Sequence, residues 1–465
     1  MKALRSLFTI GATNALLLFF AINVAAHPEK TPEPLRGSIQ LKSLTSITFN
    51  KDGILFLADP LGMRIYAVNA KQENVRKAMT IQVAGIDEKI GAMLGVSTKD
   101  VKIEDMAVNP TSQEIYLAVT RKSAANEPVL IKVDNKGILS QVKLNDVSYY
   151  ETSLNDVPAA DVKLPQPWHS RTMAVTDMAF VDGELMVAGL SGEEFSSKLR
   201  RFSYPFTNQA KTVKLEIYHT SHDRYETNSP IETFLPFTVN GQQQILAGYG
   251  CSPIATFALS DIRTKDQLRG NTIAELGGGN RPVDMILHKK NLYISNSDRT
   301  LMRMTPEDLN SATPLTTRAP GIYAATGVEY LSIASVGVTQ LANLNDNYFV
   351  CLQRNIEDGS LNLRSDQGVS VPSKYVQLGG QLYRQKKYKE SAQNYELAVK
   401  EEPNGIDFYN MACSYALDSN PDKAFEALNK AVEWGFYRKD QYENDTDLTA
   451  LKTDARWKTL SAKLE

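Results

Sequence analysis

The chain lacks any concentration of one charge. Its 51 Lys and Arg nearly cancel its 53 Asp and Glu, and neither sign gathers into a long run. A nucleic acid or an anionic bilayer therefore has no complementary patch to bind. Cysteine is scarce as well: Cys251, Cys351 and Cys413 stand far apart, with no CxxC pair, no CxxCH and no zinc-finger spacing. An odd count leaves at least one thiol free. A disulfide between Cys251 and Cys351 stays open, because sequence cannot place their Cα atoms. Cys413 lies in a helical stretch beside Met411 and Ala412 and reads as a small buried apolar side chain.

Long apolar runs are also missing. No stretch reaches the ~20 residues that a helix needs to cross the hydrocarbon of a bilayer. The run from Ala15 to Val24 is shorter and interrupted; Lys2 and Arg5 precede it, and Val24-Ala25-Ala26 closes it. Basic, apolar and small-residue segments in that order form a cleavable secretory signal, assigned to residues 1–26. The expectation is an exported protein, periplasmic or extracellular, with no membrane span in the mature chain. Catalytic signatures are absent too: there is no GxSxG elbow, HExxH helix or Walker sequence.

What the chain does contain is repetition. At 465 residues it exceeds one ordinary domain, and between residues 37 and 367 a short strand pattern recurs six times, starting at Ser46, Asp105, Asp177, Thr233, Asp284 and Gln340. Asp52-Gly53, Asp182-Gly183 and Asn240-Gly241 supply hairpin turns after three of these strands, since Asx-Gly tolerates the positive φ of a tight reversal. Second and third strands follow, such as 115–119 and 129–133, and many units add a more polar fourth, as at 212–217. Four antiparallel strands repeated around an axis describe a β-propeller, here six-bladed, with seven blades as the alternative. The last unit shows no fourth strand of its own, so the segment Gly37 to Ser43 is expected to supply it and clasp the ring.

From Pro372 the apolar period changes from two to that of a helix. Tyr375, Leu378, Gly379, Leu382, Ser391, Tyr395, Ala398 and Pro403 form one pattern; Phe408, Met411, Ala412, Tyr415, Ala424, Leu428 and Ala431 repeat it in phase. Residues 372–465 thus resemble tetratricopeptide (TPR) helical hairpins with a terminal cap, departing from that pattern with Ser391 where Ala is usual. The fold class expected is mainly β plus α, a propeller over 37–367 followed by this helical domain. The propeller itself resembles the exported NHL, YVTN and gluconolactonase-like types. Two hairpins and a cap are few for independent stability, so Trp434 and Phe436 are candidates for docking the tail on the propeller.

Corresponding positions of successive blades converge on the central channel, which makes the starts of the first strands the best candidate site. Asp105, Asp177 and Asp284 occupy that position, with Glu104 and Glu232 nearby. Several carboxylates facing one axis repel one another unless a cation sits among them, and hard cations such as calcium favour oxygen ligands. Asp105, Asp177 and Asp284 are therefore candidate ligands for calcium or another divalent cation, although no cofactor is otherwise evident. The bland alternative is that each bonds the backbone of the adjacent blade. Gly277-Gly278-Gly279 has no GxGxxG spacing and reads as a tight crossing that leaves Asn280 and Arg281 at the channel mouth. Two further clusters, Trp168-His169-Ser170-Arg171 and Tyr218-His219-x-x-His222-Asp223-Arg224-Tyr225, read as loop surface; His219 and His222 have metal-ligand spacing, but no third ligand is evident.

Two functions follow. One is a binding or scaffold protein, with a protein or peptide partner on the helical repeats and a ligand on a propeller face. The other is a divalent-metal-dependent propeller hydrolase of the lactonase or phosphotriesterase kind, using the channel carboxylates. The missing catalytic motifs favour the first.

Overall fold

The computed structural model describes residues 32–464 except 71–79, 123–125, 161–170, 208–209, 320–324, 334, 369–373, 402, 404, 435 and 437–438. The signal expected at 1–26 and the segment Trp168 to Ser170 lie outside the described residues.

Six sheets form the six blades of a propeller. Numbered in chain order, their innermost strands are Ile47–Phe49, Val101–Val108, Asp177–Val181, Ile231–Val239, Pro282–His288 and Val338–Asn343. Middle strands such as Ile54–Asp59 and Ile115–Arg121 are buried along most of their length because a blade on either side covers both faces, which is why they read as short continuous apolar runs. Asp182 and Asn240 take φ of 47°, and the glycines after them 86° and 76°, as their hairpin turns require.

The blades do not follow one another in chain order. The first innermost strand packs between the second and the third, and the second packs against the sixth, so the ring runs II, I, III, IV, V, VI and back to II. Six apolar seams fill the spaces between these neighbours. Leu55 and Tyr116 pack in the seam of blades I and II, Phe56 and Val187 in that of I and III, and Leu117 and Val350 in that of II and VI. Each fully buried side chain of this size stabilises the fold by ~1.5–3 kcal/mol relative to exposure.

This order corrects the expected clasp. The sixth blade takes its fourth strand from Gln82–Val83, which pairs with Leu363 and Arg364. Residues 37 to 43 lie instead on blade I. There Leu35–Gly37 adds a fifth, outer strand on Val147–Ser153, a strand that the chain returns from blade II to deliver. Asp59 anchors the segment. It is fully buried and accepts the Lys42 N–H at 2.9 Å, the Ser43 N–H and hydroxyl at 2.8 Å each and the Gly62 N–H at 2.9 Å. A Cβ on Gly62 would stand 2.2 Å from the Asp59 carboxylate, so only glycine lets the turn close over it.

The helical tail forms two antiparallel hairpins, Lys374–Arg384 with Tyr388–Glu401 and Gly405–Leu417 with Pro421–Glu433, then Lys439–Asn444 and Ala455–Ser461. Successive helices of the hairpins pack against one another around a core that includes Tyr395, Ala412, Leu428, Tyr442 and Leu460. Ser391 has a specific use: its hydroxyl donates to the Gly379 carbonyl at 2.8 Å and meets the Ser414 hydroxyl at 3.0 Å, joining helices where an alanine would only touch. The cap is tied on by Tyr409, which donates to Asp445 at 2.6 Å, and by Tyr383, which donates to Asp447. Cys413 is buried in this core, as expected, and all three cysteines are free, so Cys251 and Cys351 do not pair.

The docking residues expected in the tail serve the tail. Phe436 packs on Tyr409, with ring centroids 4.8 Å apart, and Trp434 lies exposed against Phe408. A chain ending at Gly368 is accordingly expected to keep the propeller's Tm within about 2 °C of the full-length value, a shift below ~1 kcal/mol. Thermal unfolding followed by tryptophan-independent far-UV circular dichroism checks this, and a loss of the cooperative transition would show that the propeller needs its tail.

Candidate functional site

The structure brings the three aspartates to one end of a central channel of about 380 Å³ that all six innermost strands line. Each uses its two oxygens alike. Oδ1 accepts the N–H of the following methionine, at 2.7 Å in Asp105, Asp177 and Asp284. Oδ2 reaches a ring neighbour: Ile47 N–H at 2.7 Å, Phe234 N–H at 2.7 Å and Leu341 N–H at 2.6 Å, respectively. Ser46 adds a hydroxyl to Asp105 at 2.9 Å, and Thr233 adds one to Asp177. Around the ring, blades that give a carboxylate alternate with blades that give an N–H, so blades II and I, III and IV, and V and VI are coupled in pairs.

A repeated backbone irregularity helps to aim these groups. The register of the innermost strand shifts between Ile103 and Asp105, Ile231 and Thr233, Pro282 and Asp284, and Val338 and Gln340. Such bulges bend the strand and re-aim the side chains beside them. Glu104 and Glu232 are the skipped residues of blades II and IV. Glu104 pairs with Lys102 at 2.6 Å, and its carbonyl accepts from Gln340 at 3.3 Å. Glu232 pairs with Arg281 at 3.2 Å; burial raises its carboxyl pKa, with Arg281 opposing. Asn280 is buried, donating to the Leu276 carbonyl at 3.1 Å and to Asn296 at 3.0 Å. Glu232 and Arg281 thus pair with each other, while Asn280 holds its own loop.

The three carboxyls are half-buried in the channel, where the surrounding protein displaces water, and they ionise with difficulty. Burial raises Asp105 to about 6, against the opposing Ile47 and Met106 N–H groups. Burial and repulsion from Asp105 raise Asp177 to about 8. Burial followed by repulsion from both others pushes Asp284 well above the carboxylate range. Among the described residues the three carboxylates are not drawn together into one set of ligand atoms. Their geometry joins blades.

A second cluster stands at the seam of blades III and IV, at positions whose sequence predicts loop surface. His219 ends the strand Lys211–His219, and Glu226 ends the short strand Arg224–Glu226 that folds back on it. Cys251 comes from the turn between Gln242–Tyr249 and Pro253–Ala258, and Glu275 from the end of Asn271–Glu275. By the antiparallel alternation these positions share the propeller face on which the channel aspartates lie.

Glu226 receives both imidazoles, His219 Nδ1 at 3.0 Å and His222 Nδ1 at 2.7 Å. Glu275 is held by the Thr220 N–H at 2.8 Å, the Thr220 hydroxyl at 3.1 Å, the Ser221 hydroxyl at 3.4 Å and the Ser252 hydroxyl. Burial opposes charge on His219, but Cys251, Glu226 and Glu275 outweigh it and raise the imidazole to about 9. His219 in turn holds the Cys251 thiol below its ordinary value. Two signals in the sequence belonged to this cluster, the His-x-x-His pair and a cysteine between two strands; only the fold makes them neighbours.

The fold and these sites define a six-bladed β-propeller followed by helical hairpins. No family model and no curated protein matches the chain. Among solved structures it is similar to a chain of a mitotic checkpoint complex, with a TM-score of 0.30 and 10% identity over 77% of this chain and 99% of the other. It is also similar to Raptor from Chaetomium thermophilum, with a TM-score of 0.32 and 10% identity over 73% of this chain and 30% of the other. Likeness at this level does not extend to function.

Proposed function

We propose that the protein is an exported binding and scaffold protein whose tetratricopeptide-like tail takes a peptide segment of a partner protein. The observation that carries this reading is an apolar surface left open on a tail whose core is already complete. Ile406 and Trp434 are exposed, and the Trp434 ring lies 6.4 Å from that of Phe408 at 34°. Leu378 and Leu397 on the first hairpin are exposed as well. Packed aromatic side chains with one open side make good anchors, because they offer large contact area at little entropic cost.

Export is supported by the basic, apolar and small-residue series at 1–26. Among the described residues no helix is long and apolar enough to cross a membrane. The hydrolase alternative needs channel carboxylates free for a metal, and here each carboxylate oxygen already accepts a backbone N–H.

The test is selection of peptides on the full-length protein, followed by titration of the best binder. Ile406→Asp combined with Trp434→Ala is expected to weaken binding by 10-fold or more while the protein still unfolds in a cooperative transition, since Ile406 is exposed and Trp434 partly so. Unaltered affinity in that variant would move the binding surface elsewhere.

A further inference from the structure

We propose that His219, His222 and Cys251 bind a zinc-class divalent ion, with Glu275 at the fourth corner and Glu226 as the carboxylate that orients both imidazoles. A ring nitrogen of each histidine and the cysteine sulfur lie within 4.8 Å of one another. In a tetrahedral zinc site, bonds of ~2.0–2.3 Å separate the ligand atoms by ~3.3–3.8 Å. Closing the three onto an ion therefore asks for a movement of about 1 Å, within the reach of the partly exposed His222 and of a turn. Glu275 Oε2 already stands 3.8 Å from His219 Nε2. Two imidazoles, a thiolate and a carboxylate make a borderline-soft donor set that suits zinc and not calcium or magnesium.

Three independent features point to a ligand. First, His219 is buried and its Nε2 makes no hydrogen bond among the described residues, although burial ordinarily obliges one. Second, Glu226 accepts from both Nδ1 atoms, which is the outer-shell arrangement that fixes the tautomer and leaves the other nitrogen to a metal. Third, Cys251 sits at φ 84°. A side chain is strained there, and such strain persists where function holds it. The charges agree as well: Glu226 and Glu275 are both buried, Arg224 pairs with Glu226 at 3.1 Å, and Glu275 with a Cys251 thiolate leaves negative charge that a dication offsets.

The other grouping of this kind, Cys413 with Asp445 and Asp447, has a structural occupation. Asp445 and Asp447 accept the hydroxyls of Tyr409 and Tyr383, and burial pushes the Cys413 thiol up.

Full-length mature protein, stripped with chelator, is titrated with Zn²⁺ and, as a spectroscopic probe, with Co²⁺. The expected result is one ion per chain, a higher Tm on addition of Zn²⁺, and an intense near-ultraviolet sulfur-to-cobalt charge-transfer band with the visible bands of a tetrahedral ion. Cys251→Ser removes the charge-transfer band. His222→Ala, at a partly exposed position, weakens affinity at least 10-fold with the metal-free Tm unchanged. Glu226→Gln weakens it by about 10- to 100-fold, as loss of an outer-shell carboxylate does. Binding that persists unaltered in Cys251→Ser and His222→Ala places the ion elsewhere and overturns the proposal. No binding, with rapid alkylation of Cys251 by iodoacetamide, overturns it in favour of a simple thiolate and imidazolium pair.

Discussion

Raising the pH from 5 to 8.5 is expected to lower the Tm of the protein by about 5 °C, and Asp177→Ala is expected to flatten that dependence. An unfolded aspartate ionises near 3.8, whereas Asp105 does so at about 6 and Asp177 at about 8 in the folded channel. Between those values the native state keeps protons that the unfolded state has released. Stability is therefore greatest below the unfolded value and is lost as pH rises through the folded ones. For Asp105 the full loss, from below 3.8 to above about 6, is on the order of 3 kcal/mol, of which roughly half falls above pH 5. His219, raised to about 9, works in the same direction above neutrality, but it does so equally in wild type and variant. Asp177→Ala strands the Met178 and Phe234 N–H groups, which costs about 2–4 kcal/mol at pH 5. At pH 8.5 part of that cost is returned, because one of three mutually repelling charges is gone. The two Tm curves should converge with rising pH. Parallel curves would mean that the aspartates join blades without coupling to one another. Asp177→Asn is no neutral control, since its amide NH₂ would face one of the two N–H donors.

The second large effect is expected at Asp59. Asp59→Ala should destabilise the protein by about 3–5 kcal/mol, since it removes one acceptor from three N–H groups and a hydroxyl in a buried place. Lys42 is exposed and its N–H regains water, which is why the cost stays below the sum of four lost bonds. Amide hydrogen exchange gives the local reading. Protection is expected to fall at Ser43 and Gly62 while the amides of Leu363 and Arg364, which pair with Val83 and Gln82, keep theirs. If the segment clasped the sixth blade instead, protection would be lost there first. Asp59→Asn should fall between, because an amide offers one accepting oxygen where the carboxylate offers two.

These two aspartates mark how far the sequence could be read. The channel group was legible because repetition at a fixed place in a repeat puts like residues at like positions, so three Asp-Met pairs had to face one axis. The alternative reading, in which each bonds the backbone of a neighbouring blade, is the arrangement observed. Asp59 was not legible. Gly62 lies three residues on, but its other partners lie 16 or 17 residues back in a stretch with no regular period, and nothing local shows that a carboxylate at a strand end will face them. The same limit explains the cluster at His219. The i, i+3 pair is a local signal, but Cys251 arrives on a turn and Glu275 on a strand of the next blade.

Local chemistry alone therefore determined the elements: which runs form strands, where Asx-Gly turns reverse them, that the inner strands of six units start alike, and that the tail folds as two helical hairpins in phase. Those depend on side-chain period and on φ preferences within a few residues. Tertiary structure alone decided the order of the blades, the source of the sixth blade's outer strand and the meeting of two histidines with a cysteine. Six blades of similar shape can close a ring in more than one order. The choice falls to seam packing between blades, an energy summed over residues far apart in the chain and invisible until they touch.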